Sequence, residues 1–474
     1  MKFLRNYLNK IKPKFEEGGK LHAFRSLFDG FETFLFVPND TSKSGVNIHD
    51  AIDSKRIMSL VVIALIPSLL LGMYNIGLQN AIAAGTVATT GWFDMFLYGL
   101  VVTLPKIVVA YAVGLGIEFT VAQWKKEEIH EGFLVSGILI PMIVPVGCPL
   151  WVLALATAFA VIFAKEVFGG TGMNIVNVAL IARAFIFFAY PQVISGDGVW
   201  VATEQICGLG ADVPVLADGY TSATALGQIA DTKLADLPAF ANDSTLTFAN
   251  AFANGAPIEG AKYLFLNLPD SIAVTLNLPD STVVTSEIMS KLSGAQLSGA
   301  LTPDVLNEAV VSVAPSLSVS DMLFGFMPGS IGETSVIAIA LGALLLLFTG
   351  VASWKTMLSV FVGGIAMSLL FQHTMPENPV AQIPFWQHII LGGFCFGAVF
   401  MATDPVTSAR TEKGKYIYGF GIGAMAILIR VMNPGYPEGM MLAILLMNVV
   451  APFIDYCVVQ SNVKARAKRV TKKN

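Results

Sequence analysis

Among the ionisable residues within or at the ends of strongly apolar runs, six stand out: Lys106 and Glu118, Lys165 and Glu166, Arg183, and Asp404. An ionised group at membrane depth costs a few kcal/mol unless partnered or wet, so such positions either pair with one another or line a path for ions or protons. For Lys106 and Arg183 the two readings weigh equally. Glu118 and Asp404 favour a path. A hard cation such as Na⁺ takes carboxylate and carbonyl oxygens, and Asp404 lies between Thr403 and Pro405, with Thr407 close by, where a proline-broken helix frees carbonyls. Other chemistries lack their parts. Cys148, Cys207, Cys395 and Cys457 are far apart with no CxxC pair, and the five histidines are scattered. No nucleotide loop, Ser-His-Asp set, HExxH or haem ligation pattern is seen, and no metal site is expected beyond the cation path.

These residues sit in a chain that is 54% hydrophobic and 13% charged over 474 residues, with a mean hydropathy of +0.67. The charged fraction is about half that of a soluble domain, too little to cover a core of this size. An all-α integral membrane protein is expected. A net charge of −4 excludes a generally basic nucleic-acid binder. The start, Met1-Lys2-Phe3-Leu4-Arg5 with Lys10, Lys12 and Lys14, lacks an apolar core segment, so no cleavable signal peptide is expected.

Apolar runs predict about ten spans, at roughly 20 residues per crossing and fewer where a helix is broken. Five fall near Ile57–Leu78, Phe96–Trp124, Phe133–Val146, Trp151–Phe168 and Ile175–Tyr190; five more near Val336–Ser353, Met357–Phe371, Ile389–Met401, Tyr416–Val431 and Met440–Val459. Basic residues mark alternate loops: Lys125 and Lys126, Lys165, Lys355, then Arg410, Lys413 and Lys415, then the tail from Lys464 to Lys473. Short cytoplasmic loops carry the positive excess, so a cytoplasmic N-terminus follows. The stretch from Val201 to Met327 holds thirteen Asp or Glu, three Lys and no Arg, and reads as external.

Five spans per half place the halves in opposite orientation. Each half has a short third span broken by proline or polar residues, at Pro141, Pro145 and Pro149 and at Thr403-Asp404-Pro405. Each also has a Gly- and Asn-bearing break before its last span, Gly169 to Asn174 and Asn433 to Gly439. That pattern predicts two inverted five-helix repeats enclosing a site between broken helices, as in urea-transporter-like folds. The expected organisation is a cytoplasmic amphipathic region (1–56), a first membrane repeat (57–200), an external insert (201–327), a second repeat (328–460) and a basic cytoplasmic tail (461–474). Inside the insert, Leu266-Asn267-Leu268-Pro269-Asp270-Ser271 recurs as Leu276-Asn277-Leu278-Pro279-Asp280-Ser281.

One motif bears on function: Asp218-Gly219-Tyr220-Thr221-Ser222-Ala223-Thr224-Ala225-Leu226. It is accompanied by Phe15-Glu16-Glu17-Gly18-Gly19-Lys20, Ala164-Lys165-Glu166-Val167-Phe168-Gly169-Gly170-Thr171-Gly172, Gly329-Ser330-Ile331-Gly332-Glu333, Phe400-Met401-Ala402-Thr403-Asp404-Pro405-Val406 and Tyr436-Pro437-Glu438-Gly439-Met440-Met441. On these residues the chain resembles the NqrB/RnfD family of flavin-bearing membrane subunits, over nearly all of its length outside about 228–327. The resemblance implies a subunit of a Na⁺-pumping NADH:quinone oxidoreductase of the bacterial inner membrane. It implies FMN joined through its phosphate to Thr224 by a flavin transferase, with Asp218, Thr221, Ser222 and Ala223 completing the motif. It implies a noncovalent riboflavin against Asn174 and Asn177, quinone near Gly114, Leu115 and Phe133, and Na⁺ passage by Glu118 and Asp404, with Asp29 a weaker candidate. Electrons would run from FMN to riboflavin to quinone, and NADH oxidation and the second FMN would belong to other subunits. Two positions depart from the family pattern: its paired glycine is Gly114-Leu115 here, and its Asn-Pro is Asn177-Val178. Two alternatives stay open: an RnfD-like subunit of a ferredoxin:NAD⁺ oxidoreductase, and a urea-transporter-like channel without flavin.

Overall fold

The computed structural model describes residues 10–14, 28, 54–125, 132–194, 199–213, 224–227, 274–275, 283–284, 319–375, 378, 380–433, 435 and 438–471. Asp29, Asp218, Thr221, Ser222 and Ala223, with most of the expected N-terminal region and external insert, lie outside the described residues. Among the described residues the regular structure is helical apart from Val274–Thr275 and Val283–Val284, two-residue strands paired antiparallel, and an isolated bridge between Ile206 and Leu209.

Each expected apolar run contains helix, because a chain in lipid must satisfy its backbone groups within the segment. The order is α1 (Ser54–Ala83), α2 (Trp92–Lys125), α3 (Phe133–Ile143), α4 (Leu150–Ala160), α5 (Val178–Ala189), α6 (Val336–Phe348), α7 (Trp354–Thr374), α8 (Phe385–Ile390), α9 (Glu412–Met432) and α10 (Met440–Thr471). Six helical segments, α1, α2, Leu150–Phe168, α7, α9 and α10, are long and apolar enough to cross a membrane. Only 28–44% of their most apolar windows is buried within the protein, so most of that surface faces outward, where lipid rather than water suits it.

The short elements end where the sequence breaks the helix. α3, about 16 Å long at 1.5 Å per residue, gives way to extended backbone at Val144, and α4 starts again after extended Pro149. α4 widens into a π-turn at Val161–Lys165, narrows to a 3₁₀ turn at Glu166–Phe168, and stops at Gly169, whose φ of +116° an L side chain rarely adopts. The run expected at Ile389–Met401 is three pieces: α8, a single turn at Phe394–Phe396, and a π-turn at Gly397–Met401. α10 runs on through the expected tail to Thr471, since Lys464-Ala465-Arg466-Ala467-Lys468-Arg469 are all good helix formers.

α1 packs on α2 and on α6, α2 on α3 and α4, and α5 on α3 and α4; in the second half α7 packs on α8 and α9, and α9 on α10. The halves also meet where α5 touches α10. The α7–α9 seam is close because Gly363 faces the carbonyl of Phe420 and Gly423 that of Val360, where any Cβ would overlap the oxygen.

Candidate functional site

The breaks converge on a cleft of about 840 Å³, part of it open to solvent. Its apolar walls include Val61 of α1, Val135 and Leu139 of α3, Leu346 of α6, and Phe400. Its polar groups include Lys165, Thr171, Asn174, Asn177, Thr403 and Asp404. The loop from Gly169 can fold into this space because Gly169, Gly170 and Gly172 all take positive φ. Thr171 then rests on Gly132, where a Cβ would lie 2.4 Å from its methyl.

Asn177 caps α5: its Oδ1 accepts from the backbone N–H of Ala179 (3.0 Å) and Leu180 (3.3 Å). Its Nδ2 donates to Asp404 Oδ2 at 3.4 Å. Asp404 also accepts from the backbone N–H of Val406 (3.0 Å) and from Thr407 Oγ1 (3.0 Å). Three donors and the positive end of α5 therefore hold this half-buried carboxylate. Asn174 donates to the carbonyl of its neighbour Val176 at 3.1 Å. Cleft, two amides and a carboxylate are what a flat heteroaromatic ligand with polar edges, or a cation, could use.

Glu118 meets Lys165 in a buried ion pair, the π-turn aiming the lysine from α4 toward α2. Glu166 pairs with Lys125 at 3.6 Å nearer the surface. Lys106, also buried, donates to the carbonyls of Val146 and Pro145 (3.4 Å for the latter) and so ties down the backbone between α3 and α4. The ring over Gly114 is the chain's own: Phe133 is fully buried and covers Gly114, with Tyr111 edge-on to it at 6.3 Å. Leu115 is half-buried beside them.

Thr224 opens onto a second, smaller hollow of about 320 Å³, much of it open to solvent, shared with Leu226, Ser330, Glu333, Gly392 and Glu438. Its Oγ1 accepts from the backbone N–H of Gly227 at 3.3 Å. Leu226 is 1% exposed and lies against Gly392, where a Cβ would come within 2.9 Å of its Cδ1. Behind the cavity, Arg183 reaches Glu333 (2.5 Å) and Glu438. Arg430 donates to the backbone carbonyls of His388 (2.6 Å), Leu391 (3.3 Å) and Glu438 (3.3 Å). Sequence reasoning singled out Arg183 but gave no role to Glu333, Glu438 or Arg430. Glu333 and Glu438 stand in glycine-bearing turns just before α6 and α10, outside the apolar runs where membrane-depth charges are sought; the glycines beside them were the available signal.

Residues 41–464 match the model of the NQR2, RnfD, RnfE family. Over 98% of its length the chain is 38% identical to a subunit of the Na(+)-translocating NADH-quinone reductase of Chromohalobacter salexigens, covering 96% of that protein. It is 37% identical to the like-named protein of Klebsiella pneumoniae (strain 342) and 35% identical to that of Azotobacter vinelandii, in each case over 98% of this chain and 99% of the other.

Proposed function

Because the chain belongs to the NQR2, RnfD, RnfE family, we propose that it is the flavin-carrying membrane subunit of a Na⁺-pumping NADH:quinone oxidoreductase. In this reading it relays electrons from FMN on Thr224 to riboflavin and on to quinone while the complex exports Na⁺. The observation that carries it is the large cleft, where residues singled out for flavin contact and for cation passage meet although Asn177 and Asp404 are 227 positions apart.

The flavins, when bound, supply the electron-transfer chemistry. The protein's part is to hold and to polarise. Asn174 and Asn177 would hold the riboflavin ring by its polar edges, with Val135, Leu139 and Phe400 as apolar cleft walls. Asn177 does this while locked as the cap of α5, so its amide needs no further ordering on binding. Asp404, fixed by three donors, offers oxygen to a cation beside that ring, and Glu118 with Lys165 extends the charged lining toward Lys125. Thr224 presents its hydroxyl at a cavity mouth on a segment of small residues, which fits attachment of FMN by a transferase. Quinone belongs at α2 and α3, beside Gly114, Leu115 and Phe133. Contacts α1–α6 and α5–α10 support the inverted repeat, since elements related by such an axis meet across it. The loop charges support an inner-membrane protein with a cytoplasmic N-terminus. NADH oxidation falls to partner subunits, as does the other FMN.

The test is co-expression with a flavin transferase followed by a denaturing gel viewed under ultraviolet light. A fluorescent band that disappears in Thr224→Val is expected; a dark wild-type band, with the transferase active on a control substrate, would overturn the reading.

A further inference from the structure

A polar pair is buried in the apolar packing of the second half, and the proposed function gives it no task. Asn448 interrupts the run Met441-Leu442-Ala443-Ile444-Leu445-Leu446-Met447-Asn448-Val449-Val450 of α10, and Tyr418 stands on α9; both are 0% exposed. An amide at such depth is costly unless its polar atoms are paired. The neighbours decide which way the Asn448 amide faces. Its Oδ1 accepts from the backbone N–H of Asn177 at 3.2 Å, and its Nδ2 donates to Tyr418 Oη at 2.6 Å and to the carbonyl of Ile444 at 3.3 Å. The opposite orientation would set its NH₂ against the N–H of Asn177 and its oxygen against the Ile444 carbonyl.

The pair thus reaches the first half at the residue that caps α5. A cap residue's own N–H has no partner inside its helix, and here α10 supplies one, which accounts for the meeting of α5 with α10. Asn177 is thereby held twice, by Asn448 at its N–H and by Ala179 and Leu180 at its Oδ1, which leaves Nδ2 aimed at Asp404. That last bond is 3.4 Å long, near the limit of a hydrogen bond, so a small turn of the amide breaks it. Asp404 would then keep only Val406 and Thr407 as donors, and a carboxylate that must be ordered again on binding binds less tightly. Fixing the register of α9 against α10 would need the Tyr418–Asn448 bond alone; it gives no reason for the bond to Asn177.

We propose that Asn448, oriented by Tyr418, is a positioning residue for the cation site at Asp404, acting through the cap of α5. This rests on the reading of Asp404 as a cation ligand given above.

The experiment measures NADH:quinone turnover of the assembled complex carrying each variant chain, over a range of sodium chloride with choline chloride holding the ionic strength constant, and records each melting temperature. Asn448→Leu, similar in volume, removes the clamp; its KM for Na⁺ is expected to rise about fivefold, the worth of one ordinary hydrogen bond, with a smaller change in kcat at saturating sodium. Tyr418→Phe removes only the hydroxyl that orients Asn448 and is expected to raise KM by about threefold. It carries the test should Asn448→Leu fail to accumulate. A KM within about twofold of wild type in Asn448→Leu, or in Tyr418→Phe where it alone accumulates, overturns the proposal whatever happens to the melting temperature, since register fixing would lower the latter and leave KM alone. Asp404→Asn separates the two readings. If it leaves KM for Na⁺ unchanged, the cation reading of Asp404 itself falls; if it raises KM while the other two variants do not, only the positioning role does.

Discussion

Replacing Asn177 with aspartate separates two jobs that one side chain now does. The Oδ1 atom caps α5 through Ala179 and Leu180, and Nδ2 donates to Asp404 at 3.4 Å. Aspartate caps as well as asparagine, but it sets a second carboxylate oxygen where the donor stood. Two like charges 3.4 Å apart repel by about 5 kcal/mol at an effective dielectric of about 20. Side-chain rotation and proton uptake relieve part of this. Asn177→Ala loses the cap instead, worth about 1 kcal/mol. In sodium-free choline buffer the expected order of melting temperature is therefore wild type, then Asn177→Ala, then Asn177→Asp. A Na⁺ ion held between the two carboxylates would remove the repulsion, and binding to the folded state alone at 100 times Kd adds about 2.7 kcal/mol. Scanning fluorimetry in detergent, in choline chloride and in sodium chloride at equal ionic strength, should thus show Asn177→Asp recovering in sodium while Asn177→Ala does not. The reasoning fails if Asn177→Asp melts no lower than Asn177→Ala in choline, or if sodium raises both by the same amount.

Arg183→Met leaves Glu333 and Glu438 buried without the guanidinium they share, at an expected cost of about 3–5 kcal/mol; purified yield and melting temperature should both drop, and Arg183→Lys should fall between. Glu118→Gln strands the Lys165 ammonium at similar cost. The double change Glu118→Gln with Lys165→Met should recover part of that loss, and a double-mutant cycle in thermal stability should return a coupling of about 0.5–3 kcal/mol; simple additivity would show the pair to be independent. Gly423→Ala drives a methyl into the carbonyl of Val360 and should cost about 1–3 kcal/mol. Gly116→Ala on α2 meets nothing within 4 Å and should be neutral or stabilising by up to about 1 kcal/mol; equal melting temperatures for the two variants would count against the α7–α9 seam.

Local rules explain what could be read early. Runs such as Trp92–Lys125 are legible because lipid leaves a spanning segment no alternative to helix, and breaks at Pro145, Pro149 and Gly169 are legible because proline removes a donor and only glycine takes the φ needed there. The boundaries were less legible. α5 begins at Val178 rather than Ile175 because Asn177 caps it, and α10 passes its expected end because nothing in 460–471 stops a helix. Asp404 was singled out from its neighbourhood and Asn174 and Asn177 only through the family resemblance, as separate expectations of cation passage and flavin contact, with no sign that one cleft holds them together.

Composition, periodicity and the placement of glycine, proline and basic residues thus determined that this chain is a multi-span helical membrane protein and where its helices break, since those properties follow from a few consecutive residues and their solvent. Tertiary structure alone decided which charges meet: Glu118 with Lys165 across 47 positions, Arg183 with Glu333 across 150 and with Glu438 across 255. Burial makes an unpaired charge so costly that a partner is required. Which partner it is depends on how the helices pack, and packing brings together residues that no local pattern connects.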